Sequence, residues 1–132
     1  MKRMTALVAA ALALTGLVSL NAQAQMPGIG RADLLKETIS VAGKELVQVR
    51  VDFGPGASAP RHSHPGEEVA FVLEGTLEYR IDGRPPVTLK AGETLFIPAG
   101  AVHSAHNVHG GNAKELATYI VARDQPLVTL AK

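Results

Sequence analysis

From Leu46 onward the apolar residues of this chain repeat every two positions. In LVQVRVDF, Val47, Val49, Val51 and Phe53 alternate with Gln48, Arg50 and Asp52. Successive side chains on an extended backbone point to opposite faces, so this is the pattern of a strand with one face buried and one wet. Gly54-Pro55-Gly56 ends it. Val69 to Leu73 is a continuous apolar run, as expected of a strand covered on both faces. Thr76 to Asp82 alternates again, with Leu77, Tyr79 and Ile81 on the apolar side, and Asp82-Gly83 opens a turn that Arg84-Pro85-Pro86 lengthens. Val87 to Leu89, Thr94 to Ile97, Ala101 to Val108 and Leu116 to Ala122 read as further short strands, separated by Ala91-Gly92, Pro98-Ala99-Gly100 and His109-Gly110-Gly111-Asn112. Short strands with Gly and Pro at nearly every joint, and no long helical periodicity, predict an all-β sandwich or barrel.

The first residues follow a different logic. Lys2 and Arg3 form a short basic region, Ala6 to Leu20 an apolar one, and Ala22-Gln23-Ala24 supplies small residues at a cleavage point. This is the pattern of a secretory signal peptide over residues 1–24. The apolar run is interrupted by Thr15, Gly16 and Ser19 and falls short of the roughly 20 residues that span a bilayer, so no stable membrane anchor is expected. The expected location is periplasmic or secreted. Residues 25–45 read as an N-terminal arm, in which Leu34, Leu35 and Ile39 suit a helical turn while Thr38 to Val41 suit a strand; 46–124 form the barrel, and 125–132 a tail whose Leu127 to Leu130 suits an edge strand or a dimer contact.

Cleavage after Ala24 also changes the charge. Thirteen Lys and Arg stand against twelve Asp and Glu in the whole chain, and loss of Lys2 and Arg3 leaves eleven against twelve. No basic patch remains to recruit nucleic acid or an anionic membrane. About 108 residues remain, one domain, and there is no cysteine even though an oxidising compartment would permit disulfides. Stability must come from packing, from a metal or from a partner subunit.

Two stretches carry chemistry. In GASAPRHSHPGEEVAFVLEG, His62 and His64 are two apart and share a face of an extended backbone; Glu68 has their parity, but the Pro65-Gly66 turn must bring it over them. In GETLFIPAGAVHSAHN, His103 follows a Pro98-x-Gly100 turn and is the natural fourth donor. Taken alone, a His-x-His pair describes two surface histidines as readily as two ligands, and Glu68 an exposed acid beside Glu67. His106 has the opposite strand parity to His103 and His109 lies in a Gly-rich loop, so both read as exposed. Arg61 reads as a surface partner of Glu67, and Phe53, Phe71, Tyr79 and Phe96 as core.

Together the two stretches resemble the paired motifs of the cupin superfamily. Gly56, His62, His64, Glu68 and Gly75 match G-x5-H-x-H-x3-E-x6-G, and Gly92, Pro98, Gly100, His103 and Asn107 match G-x5-P-x-G-x2-H-x3-N, with sixteen residues between. The resemblance covers roughly Phe53 to Asn107. It implies a double-stranded β-helix, a jelly-roll barrel, in a small single-domain protein that is commonly a homodimer. It further implies that His62, His64, Glu68 and His103 bind one divalent metal inside the barrel.

Three imidazoles and a carboxylate suit Zn, Fe, Mn, Ni, Co or Cu, and on an octahedral ion they leave two positions for a small-molecule ligand or substrate. Two functions follow. One is a metal-dependent enzyme, a dioxygenase-like oxidoreductase or an isomerase, with Glu68 as a catalytic proton acceptor. The other is a non-catalytic periplasmic module that binds a metal or small ligand. The fold does not choose between them.

Overall fold

The computed structural model describes residues 26–132; the segment read as a signal peptide, 1–24, lies outside the described residues. Among the described residues the secondary structure is ten strands and no helix: β1 (Ile29–Thr38), β2 (Lys44–Phe53), β3 (Ser58–Ser63), β4 (Gly66–Glu74), β5 (Thr76–Ile81), β6 (Val87–Lys90), β7 (Thr94–Ile97), β8 (His103–Asn107), β9 (Ala113–Ala122) and β10 (Thr129–Leu130). They form two five-stranded antiparallel sheets, β1-β2-β9-β4-β7 and β10-β3-β8-β5-β6, which face each other as a jelly roll. The all-β expectation holds.

Alternation builds the interior. The inward positions Val47, Val49, Val51 and Phe53 of β2, Ala70 and Val72 of β4, Leu77, Tyr79 and Ile81 of β5, and Ala117, Tyr119 and Val121 of β9 are all buried in one core. The residues between them face out. Asn107, at the end of β8, locks one end of the barrel: its buried amide nitrogen donates to the carbonyls of Phe53, Gly54 and Gly111. It is a strand-end tie.

The structure differs from the sequence reading in four places. The segment read as an arm contains a full ten-residue strand, β1, hydrogen-bonded along β2. The Val69 to Leu73 run is buried on one face only: Ala70 and Val72 are inside, while Val69, Phe71 and Leu73 are exposed, because no element among the described residues covers the outside of that sheet. Phe71 and Phe96 therefore lie on the surface, and only Phe53 and Tyr79 of the four aromatics are core. Arg61 pairs with Asp82, across from the start of β8, and not with Glu67.

The Pro65-Gly66 turn does not make a hairpin. It passes the chain from β3 in one sheet to β4 in the other, so that Glu68 faces the histidines across the interior. Gly66 makes that crossing possible. A side chain there would run into the backbone of β9, its Cβ falling 2.0 Å from the Ile120 carbonyl oxygen.

Candidate metal centre

His62 on β3 and His103 on β8 are direct cross-strand partners, and their rings lie 4.3 Å apart between centroids. His64, just past the end of β3, is 4.8 Å from the first ring and 5.1 Å from the second, and packs on Tyr119 at 4.6 Å. Glu68 arrives from the opposite sheet, where it pairs in register with Tyr119. All four side chains are buried at 9% exposure or less. The four residues singled out in the sequence are therefore brought together, and the exposed His106 and His109 are not among them.

Each imidazole is oriented by a backbone carbonyl. His62 Nδ1 lies 2.6 Å from the Pro60 oxygen, His64 Nδ1 2.6 Å from that of Leu127, and His103 Nδ1 3.0 Å from that of Ala101. A carbonyl oxygen only accepts, so each Nδ1 carries the proton and each neutral ring keeps a lone pair on Nε2. Backbone contacts of this kind set the tautomer and ring plane of metal-ligating histidines. The tail residues 125–132 thus take part: Leu127 holds His64, and β10 pairs with β3 at His62.

The donor atoms of the three rings lie within 4.8 Å of one another. Glu68 Oε2 is 3.0 Å from His64 Nε2 and 3.1 Å from His103 Nε2. Yet neither His64 Nε2 nor Glu68 Oε2 has a hydrogen bond of acceptable geometry, and both are fully buried. Two lone-pair atoms in contact without a proton between them repel unless a cation lies within reach of both. Three imidazole nitrogens and a carboxylate gathered at this spacing suit a divalent transition metal.

The electrostatics follow from burial. Desolvation lowers His62 to about 4, with the neighbouring His103 adding to it. In His103 desolvation pulls the same way, but the Glu68 carboxylate 3.1 Å from Nε2 favours the protonated ring, which would donate to it, and the net shift is upward. Burial pushes the Glu68 carboxyl up, and the combined interactions with His103 and His64 outweigh it, so Glu68 stays ionised.

The cluster opens on a cavity of about 1030 Å³, walled by Val51, Phe53, Ala59, Ala105 and Leu127 among others. Arg31 of β1 also lines it. So does a second carboxylate that the sequence reading passed over, Glu115 of β9, which accepts a 2.8 Å hydrogen bond from the Tyr79 hydroxyl in a buried pair. The signal was available: Glu115 is in phase with Ala117, Tyr119 and Val121, the buried face of its strand.

Residues 49–119 match the family described as Cupin domain. Over 71 residues the chain is 35% identical to dimethylsulfoniopropionate lyase DddQ of Ruegeria pomeroyi, a match covering 54% of this chain and 35% of the lyase; the chain spans about a third of the length of the curated relatives it matches. Among solved structures, a recombinant oxalate oxidase in complex with glycolate superposes with a TM-score of 0.64 at 27% identity, covering 81% of this chain and 57% of that one. A cupin superfamily protein from Desulfitobacterium hafniense superposes at 0.61 with 17% identity, over 75% of this chain and 83% of its own, a likeness of fold.

Proposed function

The chain belongs to the cupin family, and we propose that it is an exported, metal-dependent enzyme acting on a small molecule, with dioxygenase-like oxidoreductase chemistry. The observation that carries this reading is the convergence of three Nε2 lone pairs and the Glu68 carboxylate on one point beside a cavity of small-molecule size. His62, His64, Glu68 and His103 would hold one divalent transition metal of the set Zn, Fe, Mn, Ni, Co and Cu. Such an ion, when bound, supplies a Lewis acid for a substrate oxygen and, if redox-active, a route for electrons to dioxygen.

The chain's own residues do the rest. The carbonyls of Pro60, Ala101 and Leu127 keep the three rings in the ligating tautomer. The apolar wall of Val51, Phe53 and Ala105 keeps water from the far side of the substrate. Glu68 stays ionised among its histidines, and an ionised carboxylate is ready to take a substrate proton at a freed oxygen. The relatives named for oxalate and dimethylsulfoniopropionate make small organic acids the first substrates to try.

Export is supported by the residue pattern of 1–24. A homodimer is supported by an apolar stripe on the outside of the β1 sheet, where Val69, Phe71, Leu73, Phe96 and Ile120 are exposed across adjacent β9, β4 and β7. A second copy of this chain fits it, because a stripe with a two-fold partner is covered by itself and the strand beneath is apolar on both faces.

The test is elemental analysis of protein from its native compartment, followed by oxygen consumption with oxalate, glycolate, enediol and thiol substrates. Uptake of oxygen that falls in Glu68→Gln while metal is retained supports the enzyme and the role of Glu68. Unchanged turnover removes that role, and ligand affinity without turnover on any substrate replaces the enzyme with a binding module.

A further inference from the structure

Among the described residues, Glu115 is the one carboxylate in the cavity wall outside the histidine cluster. It lies four residues before Tyr119 on β9, and its lateral neighbours, Val51 on β2 and Val72 on β4, are apolar. The titratable groups that face it are Tyr79 from β5, Glu68 from β4, His103 from β8 and Tyr119 from its own strand; His62, His64 and Arg31 line the same cavity. Tyr79 donates its hydroxyl proton to Oε1 at 2.8 Å. A carboxylic acid whose Oε1 is already an acceptor carries its own proton on Oε2, and among the described residues Oε2 has no protein hydrogen-bond partner.

Two carboxylates share this enclosed space, and only one of them has cationic or imidazole partners in contact. Glu68 takes the charge. In the metal-free protein burial and then the Glu68 charge push Glu115 up to about 8, against the opposing pull of Tyr79 and His103, which favours the neutral acid at pH 7.

We infer that Glu115 is a ligand-binding group: its Oε2–H donates to an oxyanion, a carboxylate or enolate oxygen, of the small molecule held beside the histidine cluster. This rests on the reading of His62, His64, Glu68 and His103 as metal ligands. It assigns the ligand to the oxygen-anion class, since a second carboxylate in the wall would repel such a ligand if ionised and holds it when neutral. Tyr79 is the positioning residue that points the free oxygen of Glu115 away from the wall.

The experiment uses the cobalt(II)-loaded protein and glycolate as the probe, followed by visible absorption. Wild-type affinity falls steadily between about pH 6.5 and about pH 9.5 as Glu115 loses the proton it donates to the ligand. Glu115→Gln keeps an N–H donor that cannot ionise, so it binds glycolate more weakly at the lower pH and stays flat within about three-fold across the range. Tyr79→Phe removes a hydrogen bond that favours the carboxylate, so its alkaline loss moves to higher pH. An alkaline loss in Glu115→Gln that parallels wild type overturns the inference, as does a carbon-13 titration showing Glu115 ionised at pH 7 in the metal-free protein. If Glu115→Gln does not fold, Tyr79→Phe and the carbon titration decide. Failure of the wild type to take up cobalt removes the metal-site reading and this inference with it, whereas cobalt uptake with no glycolate response overturns this inference alone.

Discussion

Replacing Gly66 by alanine tests whether the crossing from β3 to β4 sets the geometry of the site. The added Cβ would stand 2.0 Å from the Ile120 carbonyl oxygen, 2.7 Å from Val121 Cα and 2.9 Å from the Ile120 carbonyl carbon. All three are backbone atoms of β9, which is hydrogen-bonded to β2 on its other side, so none can rotate aside. Restoring an ordinary 3.4 Å contact to the Ile120 oxygen needs a movement of about 1.4 Å. Gly66 lies two residues from His64 and two from Glu68, so the movement falls between the two donors that now stand 3.0 Å apart. Metal–ligand distances tolerate about 0.2 Å. The expected result is a loss of about 3 kcal/mol in stability, from overpacking and a broken ladder, and at least a ten-fold loss of metal affinity. Guanidinium denaturation of the metal-free protein reads the first, and zinc competition against a chromophoric chelator the second. Gly83→Ala is the control: its φ of +78° strains the backbone, but nothing lies within 4 Å, so it costs about 1–2 kcal/mol and leaves the metal affinity alone. A Gly66→Ala protein within about 1 kcal/mol of wild type and with unaltered affinity would refute the argument, because β4 would then be free to move without disturbing the site.

Two further outcomes are expected. The folded-state value of about 4 for His62 lies below 6.5, so the unfolded chain takes up that proton first; stability is whole above pH 6.5 and is lost as pH falls toward 4. Between about pH 7 and pH 5 the metal-free protein therefore loses about 2 kcal/mol more than His62→Gln does, a comparison that cancels the opposite trend of His103, and equal losses in the two would refute the assignment. On the outer sheet, Phe96→Lys places a charge at a position that is 55% exposed, so the fold survives while sedimentation equilibrium shifts from dimer to monomer; a wild type that is already monomeric removes the dimer.

Alternation and turn chemistry make most of the barrel readable. β2 and β5 are period-two runs, and the motif glycines Gly56, Gly75, Gly92 and Gly100 all take the positive φ that their turns require. What alternation cannot express is which sheet a strand joins. Pro65-Gly66 looks like a hairpin turn, and only the pairing of β4 with β9 shows that it carries the chain across the interior. β1 was obscured by a different cause. Its register against β2 shifts between Asp33 and Leu35, and the extra residue sets Leu34 and Leu35 side by side, both exposed. A bulge breaks the period of two locally and makes a strand resemble a helical turn.

The candidate ligands were legible because their residue types are rare and their spacing is specific: three of five histidines stand in one cluster. Glu115 carried no such mark, and its meaning depends on its neighbours. Along β9 the buried face runs Ala113, Glu115, Ala117, Tyr119, Val121, so the glutamate is flanked by alanines on its own side. Across the ladder Ala117 meets Ala70, and Ala105 on β8 opposes Tyr79. Large side chains at those positions would close the barrel into a packed core, and the small ones leave room around Tyr79 and Glu115. A buried carboxyl set among alanines pays a desolvation penalty that packing alone does not require. The room that the alanines leave and the acid that faces it are therefore explained together by a ligand between them, or separately by nothing in the fold.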